Sequence, residues 1–210
     1  MTLDEPLRKF LDDLAARTPT PGGGSASALI GALGAALGSM GAVFTAGEKF
    51  KNVEARTQDI LHRCEALRGR LAGLIDADIA AYQAYAAARK LPKGTDAEQA
   101  ARKAAIAKAR EEATRVPEAI VAAAHEGLEW AAQLAPICNP NLVSDAAVAA
   151  YALEAAARGA GLQVLCNLAP DPATAERRKR VREKLAACQR LCEQVETETL
   201  KTLKLTDDTP

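Results

Sequence analysis

Between Ser25 and Ala46 the chain carries no charged side chain. No other stretch limits the possible folds so strongly. It is about long enough to cross a bilayer, so it forms either a membrane span or the core helix of a helical protein. Its composition favours the core. The stretch is rich in alanine and glycine, which contribute far less to membrane insertion than leucine or phenylalanine, and a helix apolar on every side is what the centre of a bundle requires. Gly31, Gly34, Gly38 and Gly41 recur at steps of three and four, a spacing that sets them on one face where another helix can approach closely. The expectation is a buried central helix and no membrane span.

The approach to this helix is Thr18-Pro19-Thr20-Pro21-Gly22-Gly23-Gly24-Ser25. Alternate prolines stiffen an extended lead-in, three glycines open backbone angles closed to other residues, and Ser25 can cap the helix. Gly22, Gly23, Gly24 and Ser25 would then present unobstructed N–H groups at the positive end of a helix, suited to an anion or a polar ligand edge. No Gly-Lys-Ser/Thr follows and the dinucleotide glycine spacing is missing, so neither a Walker loop nor a Rossmann fingerprint is present. A plain flexible connector is the competing account.

Lysine plus arginine number 27, as do aspartate plus glutamate, and aromatic residues make up 3% of the chain. A neutral, aromatic-poor chain lacks the electrostatic footprint of a nucleic-acid binder, and Arg177-Arg178-Lys179-Arg180 is accounted for as a solvated helix face. The acidic amino-terminal stretch does not resemble a secretory signal, so a cytoplasmic location is expected. Five cysteines without a CxxC pair indicate reduced thiols. Cys188 and Cys192 stand one turn apart, but nothing supplies ligand spacing with His62 or His125, so no metal is expected.

Abundant alanine and scarce β-branched runs favour helices. A first amphipathic helix is expected from about Leu3 to Ala16, with Leu3, Leu7, Phe10, Leu11 and Leu14 on one face. The buried helix should stop near Gly47. A long helix follows over roughly Val53 to Arg89, ended by Leu91-Pro92-Lys93-Gly94. The capping box Thr95-Asp96-Ala97-Glu98 starts the next, to about Arg115, and Val116-Pro117 kinks it or begins a successor that ends before Pro136. Ser144-Asp145 caps an alanine-rich helix to about Leu168, and a charged helix runs from Pro170-Asp171-Pro172 to about Leu203. The expected fold is all-α, a single bundle of long antiparallel helices over residues 1–205, with a disordered tail at 206–210.

Polar residues where apolar ones belong mark the candidate site. Ile60, Cys64, Leu67, Leu71, Leu74, Asp78, Ala81 and Tyr85 follow steps of four and three, a core-facing seam that Asp78 interrupts. Desolvation there disfavours the charged carboxylate and suits it to proton transfer; the competing account is that the seam ends near Leu74 and Asp78 is solvated. Tyr82 on the same flank adds a phenol or a flat packing surface. Asn139, Asn141, Ser144 and Asp145 gather four polar side chains between alanine-rich helices. They could orient a heterocycle, or they could be ordinary turn and N-cap chemistry. Lys49 and Lys51 either complement a helix carboxyl end or grip substrate carboxylates.

Taken together, Pro21-Gly22-Gly23-Gly24-Ser25 opening an uncharged helix, Gly47 with Lys49 and Phe50, Asp78 with Ala81-Tyr82, Leu91-Pro92-Lys93-Gly94-Thr95, and Asn139-x-Asn141-x-x-Ser144-Asp145 resemble the cyclodeaminase/cyclohydrolase family. The family comprises the carboxyl-terminal domain of formiminotransferase-cyclodeaminase and freestanding methenyltetrahydrofolate cyclohydrolases. The resemblance implies an all-helical, homodimeric, metal-free enzyme acting on a tetrahydrofolate derivative without a further cofactor. A methenyltetrahydrofolate cyclohydrolase is the first expectation, a formiminotetrahydrofolate cyclodeaminase the second, and a non-catalytic folate-binding subunit the third. On this reading Asp78 or Asp145 is the base and Lys49 stabilises the adduct or binds the glutamate carboxylates. The glycine loop, Ser25, Tyr82, Asn139, Asn141 and Ser144 hold the substrate.

Overall fold

The computed structural model describes residues 2–168 and 170–205; the expected tail at 206–210 lies outside them, as does the Leu3 side chain. Among the described residues there are six α-helices and no strand. They are α1 (Leu7–Ala15), α2 (Gly23–Val43), α3 (Glu54–Arg89), α4 (Asp96–Leu134), α5 (Val143–Asn167) and α6 (Ala175–Leu203). The all-α bundle is as expected, and one hydrophobic core draws on every helix, through Phe10, Ala35, Leu71, Leu128, Leu153 and Val195 among others.

α2 packs along its length against α3 and α5 and touches α4, while α6 lies on α4 and α5. Its glycines show why. A Cβ on Gly31 would meet Leu71 of α3 at 3.2 Å and Ala156 of α5 at 3.3 Å, and one on Gly34 would lie 2.9 Å from the Ala149 carbonyl of α5. One on Gly38 would lie 3.0 Å from Cys64 of α3, and one on Gly41 would lie 3.1 Å from Leu134 of α4. The glycines therefore do not serve a single neighbour, as the shared face had implied; they admit three helices. The same contacts set direction. Along α2 the residues 24, 31 and 38 meet 78, 71 and 64 of α3, and 23, 27 and 31 meet 163, 159 and 156 of α5. α2 thus runs antiparallel to both, so its amino end lies against the carboxyl halves of α3 and α5, and its carboxyl end lies where they begin.

α2 is long and apolar enough to cross a bilayer, yet α3, α4 and α5 cover most of it. It is not wholly buried, however: Ile30, Leu33, Val43 and Phe44 form an exposed apolar stripe, Leu33 and Phe44 each at 56%.

The remaining boundaries follow local chemistry. Glu5-Pro6 divides the expected first helix into a 3-10 turn, Thr2–Asp4, and α1, because Pro6 pre-sets a helix start but disfavours helix at the residue before it. Only Phe10 of α1 is fully buried, and Leu7 and Leu11 are exposed. α2 stops at Val43, four residues before Gly47; the φ of Gly47 is +89°, but with ψ at −177° it opens a 3-10 turn and is not a left-handed cap. The Thr95–Glu98 capping box is present at the start of α4. Neither Ser144 nor Asp145 caps α5: both lie inside its first turn, after Leu142.

α4 passes through Pro117 without ending. A proline there has no N–H to donate to the carbonyl four residues earlier, which is that of Ala113. The Nδ2 group of Asn167, at the end of α5, donates to the Ala113 oxygen at 2.8 Å instead. On α3 the buried seam runs Ile60, Cys64, Leu67, Leu71 and Ile75, with Ile75 in place of Leu74, and Asp78 stands half-buried one turn beyond.

Candidate active site

Where the amino end of α2 meets α3, α4 and α5, the helices leave a cavity of about 480 Å³, within the range of small-molecule sites. Its wall takes Pro19, Thr20 and Gly22 from the lead-in, Gly23 and Gly24 from the start of α2, Asp78, Ala81, Tyr82 and Tyr85 from α3, Arg110, Ala113 and Pro117 from α4, and Gln163, Cys166 and Asn167 from α5. The Thr20–Pro21 peptide in this lead-in is cis.

Asp78 is held from α2. Its Oδ2 accepts from the Ser25 backbone N–H at 2.8 Å and from the Ser25 hydroxyl at 2.7 Å. Oδ1 accepts no hydrogen bond among the described residues. Ser25 is therefore not the N-cap expected of it: Gly22 takes that position without a side-chain cap, and the carboxylate reaching over from α3 satisfies the first turn instead. The anion that meets the positive end of α2 is thus the protein's own, and its partners are those of a charged carboxylate. The compensation that a carboxylate on an apolar seam would otherwise lack comes from Ser25. Gly24 is explained by the same contact, since a Cβ there would fall 2.1 Å from Asp78 Oδ1. At Gly23 the nearest atom is the mobile amide end of Gln163, 2.9 Å away, and Gly22 adopts an extended conformation open to any residue.

Two turns beyond Asp78 on α3, the Tyr85 phenol faces the same cavity as the Arg110 guanidinium of α4, whose positive charge holds it below the usual tyrosine range, and Arg89 adds to the effect. The Arg89 guanidinium carbon lies 6.0 Å from the centre of the Tyr85 ring. Tyr82 stands more exposed at the mouth, at 43%. From there a surface groove continues past Arg89, Lys90 and Arg102, and Lys93 and Lys103 flank the next depression. Arg102 is pinned by donation to the Arg89 carbonyl at 3.0 and 3.3 Å.

Of the residues singled out from sequence, Gly22, Gly23, Gly24, Ser25, Asp78 and Tyr82 converge here. The others do not. Lys49, Asn139, Asn141, Ser144 and Asp145 sit at the opposite end of α2, about 30 Å away along a helix of this length, because α2 is antiparallel to α3 and α5. Asn139 follows the turn reading: its Nδ2 donates to the Phe44 carbonyl at 3.0 Å, and its Oδ1 accepts from Asn141 N at 3.1 Å. Its backbone N–H donates to the buried Thr45 hydroxyl at 2.9 Å. Lys49 is exposed, beside the exposed Lys51–Glu48 ion pair. Within one chain these five residues cannot join Asp78.

Sequence reasoning missed Arg110, Gln163, Cys166 and Asn167 and treated Tyr85 as packing. Each lies in a regular helical pattern, and no local signal sets it apart; the one hint is Pro117, which leaves the Ala113 carbonyl without its helix donor. Cys188 and Cys192 are packed in the core, where burial pushes their thiols up to about 11 and about 12. His125 pairs with Glu129 on its own helix at 3.7 Å and lines no part of the cavity.

Comparison with known proteins agrees with the resemblance. A family profile described as formiminotransferase-cyclodeaminase matches residues 6–199. A methenyltetrahydrofolate cyclohydrolase from Methylorubrum extorquens is 43% identical over 190 residues, covering 89% of this chain and 91% of the relative. The formimidoyltransferase-cyclodeaminase of Sus scrofa is 36% identical over 167 residues, which are 79% of this chain and 31% of that longer protein. Among solved structures, formiminotetrahydrofolate cyclodeaminase from Thermotoga maritima is similar with a TM-score of 0.80 at 28% identity, covering 97% of this chain and 98% of that one.

Proposed function

The chain belongs to the formiminotransferase-cyclodeaminase family, and from that premise we propose that it is a methenyltetrahydrofolate cyclohydrolase of one-carbon metabolism, converting 5,10-methenyltetrahydrofolate to 10-formyltetrahydrofolate. The observation that carries this reading is the 43% identity running through nine-tenths of both chains to a cyclohydrolase; the cyclodeaminase relative of Sus scrofa is matched over less than a third of its length.

The reaction adds water to the electrophilic carbon of the methenyl bridge, and the tetrahedral adduct collapses with departure of the ring nitrogen. It needs a base for the water, an acid for the nitrogen and donors that orient the ring. The amidinium-like carbon is already electrophilic, so the chemistry asks for no metal and no cofactor. Asp78 suits the base: Ser25 fixes Oδ2, and Oδ1 is free for the proton of a water. Tyr82, Gln163 and Asn167 supply a ring surface and amide groups for the pterin. Arg89, Lys90 and Arg102, just outside Tyr82 and Tyr85, supply the positive charge for the glutamate carboxylates, the part Lys49 had been given. A cytoplasmic location belongs to the same reading.

The exposed α2 stripe supports a homodimer. A two-fold axis across this stripe would cover it with the same stripe of a second copy, the two α2 helices running antiparallel.

Purified protein should speed the loss of methenyl absorbance well above buffer hydrolysis, with chelator present, and should release little ammonia from 5-formiminotetrahydrofolate. Acceleration with the formimino substrate alone would move the assignment to a cyclodeaminase. No turnover of either substrate would leave only folate binding.

A further inference from the structure

We propose that Tyr85 is the second proton-handling residue of the site, donating to the departing ring nitrogen while Asp78 serves the attacking water, with Arg110 as its positioning residue. The proposal rests on the hydrolytic reading above and assigns the acid that reading leaves open.

Asp78 and Tyr85 lie seven residues apart on α3, two turns along one face, and both line the cavity. Their backbone positions are roughly 10 Å apart along the axis, which leaves room for a flat ring system between the carboxylate on one side and the phenol on the other. Of the two cavity tyrosines, Tyr85 is the more enclosed and meets cations from two directions: Arg110 of α4 lines the same cavity, and the Arg89 guanidinium stands over its ring, 6.0 Å from the centre. The charged and titratable groups around it are Asp78, Tyr82 and Arg89 on α3, Lys90 just beyond its end, Arg102 and Arg110 on α4, and Cys166 on α5. Cations dominate its side of the cavity, so the tyrosinate left after donation is stabilised where it forms. An acid whose proton affinity lies nearer neutrality is also the better donor at physiological pH.

The step balances. The attacking water gives its first proton to Asp78, which passes it to solvent, and the new carbon–oxygen bond makes the adduct. The bond from that carbon to the ring nitrogen then breaks, its electron pair going to nitrogen, which takes the Tyr85 hydroxyl proton. The remaining hydroxyl proton of the adduct passes to the tyrosinate as the formyl C=O forms, and Tyr85 is restored. One proton is released overall, as the conversion of a cationic substrate to a neutral formamide requires.

Two readouts test this. The first needs no substrate. The chain has three tyrosines, Tyr82, Tyr85 and Tyr151, and ultraviolet difference titration should show one ionising ahead of the others. The early transition should vanish in Tyr85→Phe, move to higher pH in Arg110→Gln, and persist in Tyr151→Phe, whose phenol burial holds above the usual range. The second is kinetic. Tyr85→Phe should lower kcat about a hundredfold, the scale of general-acid loss, with KM little changed, and should abolish the alkaline fall in kcat; Arg110→Gln should shift that fall to higher pH. An early-ionising tyrosine that survives Tyr85→Phe, or a near-normal kcat in that variant, overturns the proposal. So does a lowered kcat with an unchanged alkaline limb. Wild-type protein inactive on the methenyl substrate would fail the hydrolytic reading and the proposal together, whereas active wild-type protein with an unaffected Tyr85→Phe fails the proposal alone.

Discussion

At the scale of single residues, the contact between Ser25 and Asp78 does two jobs. It satisfies the first turn of α2 and aims a carboxylate oxygen into the cavity. Asp78→Asn keeps an acceptor for Ser25 but removes the charge, so charge-assisted hydrogen bonds weaken. Stability should fall by about 1 to 2 kcal/mol, contrary to the gain that an uncompensated buried charge would have produced. Turnover should fall about a hundredfold. Asp145→Asn is the comparison: if it loses turnover while Asp78→Asn does not, the base belongs to the far end of α2. Gly24→Ala and Gly23→Ala separate sterics from flexibility. The first drives a methyl into Asp78 Oδ1 and should cost both stability and activity, while the second displaces only the end of Gln163. Equal effects in thermal melts and turnover would show that the glycines matter for backbone freedom and not for the approach of Asp78.

At the scale of elements, α4 keeps its course through Pro117 because α5 supplies the missing donor. Asn167→Ala should leave the Ala113 carbonyl without its partner and cost about 1 to 2 kcal/mol. Pro117→Ala restores a backbone N–H four residues on, so in that background Asn167→Ala should cost less, with an interaction energy on the order of 1 kcal/mol. Urea denaturation of the four proteins of this cycle measures it, and strict additivity would show that Asn167 does not stand in for the lost helix bond. Because Ala113, Pro117 and Asn167 all border the cavity, this repair also fixes the wall against which the substrate would lie.

At the scale of the whole molecule, the antiparallel run of α2 against α3 and α5 decides which residues can meet. It also leaves a stripe of large apolar side chains facing outward on the helix with the least polar sequence. Leu33, at the middle of that stripe and 56% exposed, is far from the cavity. Leu33→Glu should convert a dimer to a monomer at micromolar protein, seen by light scattering, with helix content unchanged. If the variant stays dimeric, the interface is elsewhere; if a monomer retains full turnover, the partner subunit contributes nothing to the site.

The amino-acid sequence by itself determined the helices, because their signals act within a turn or two: the charge-free run of α2, the Thr95–Glu98 capping box, the prolines that bound α1 and α6, and the four-and-three spacing along α3. It also marked half of the site, since Asp78 breaks an apolar seam and the glycines crowd one helix start. Only the tertiary structure decided what Asp78 touches and which polar residues share its cavity. Nothing local distinguishes Arg110, Gln163 or Asn167 from other polar residues on long helices, and nothing local shows that Lys49, Asn139 and Asp145, which the sequence does set apart, lie at the other end of α2. The difference is made by helix direction and by how closely small residues let helices approach, which are properties of pairs of elements and not of either strand of sequence alone.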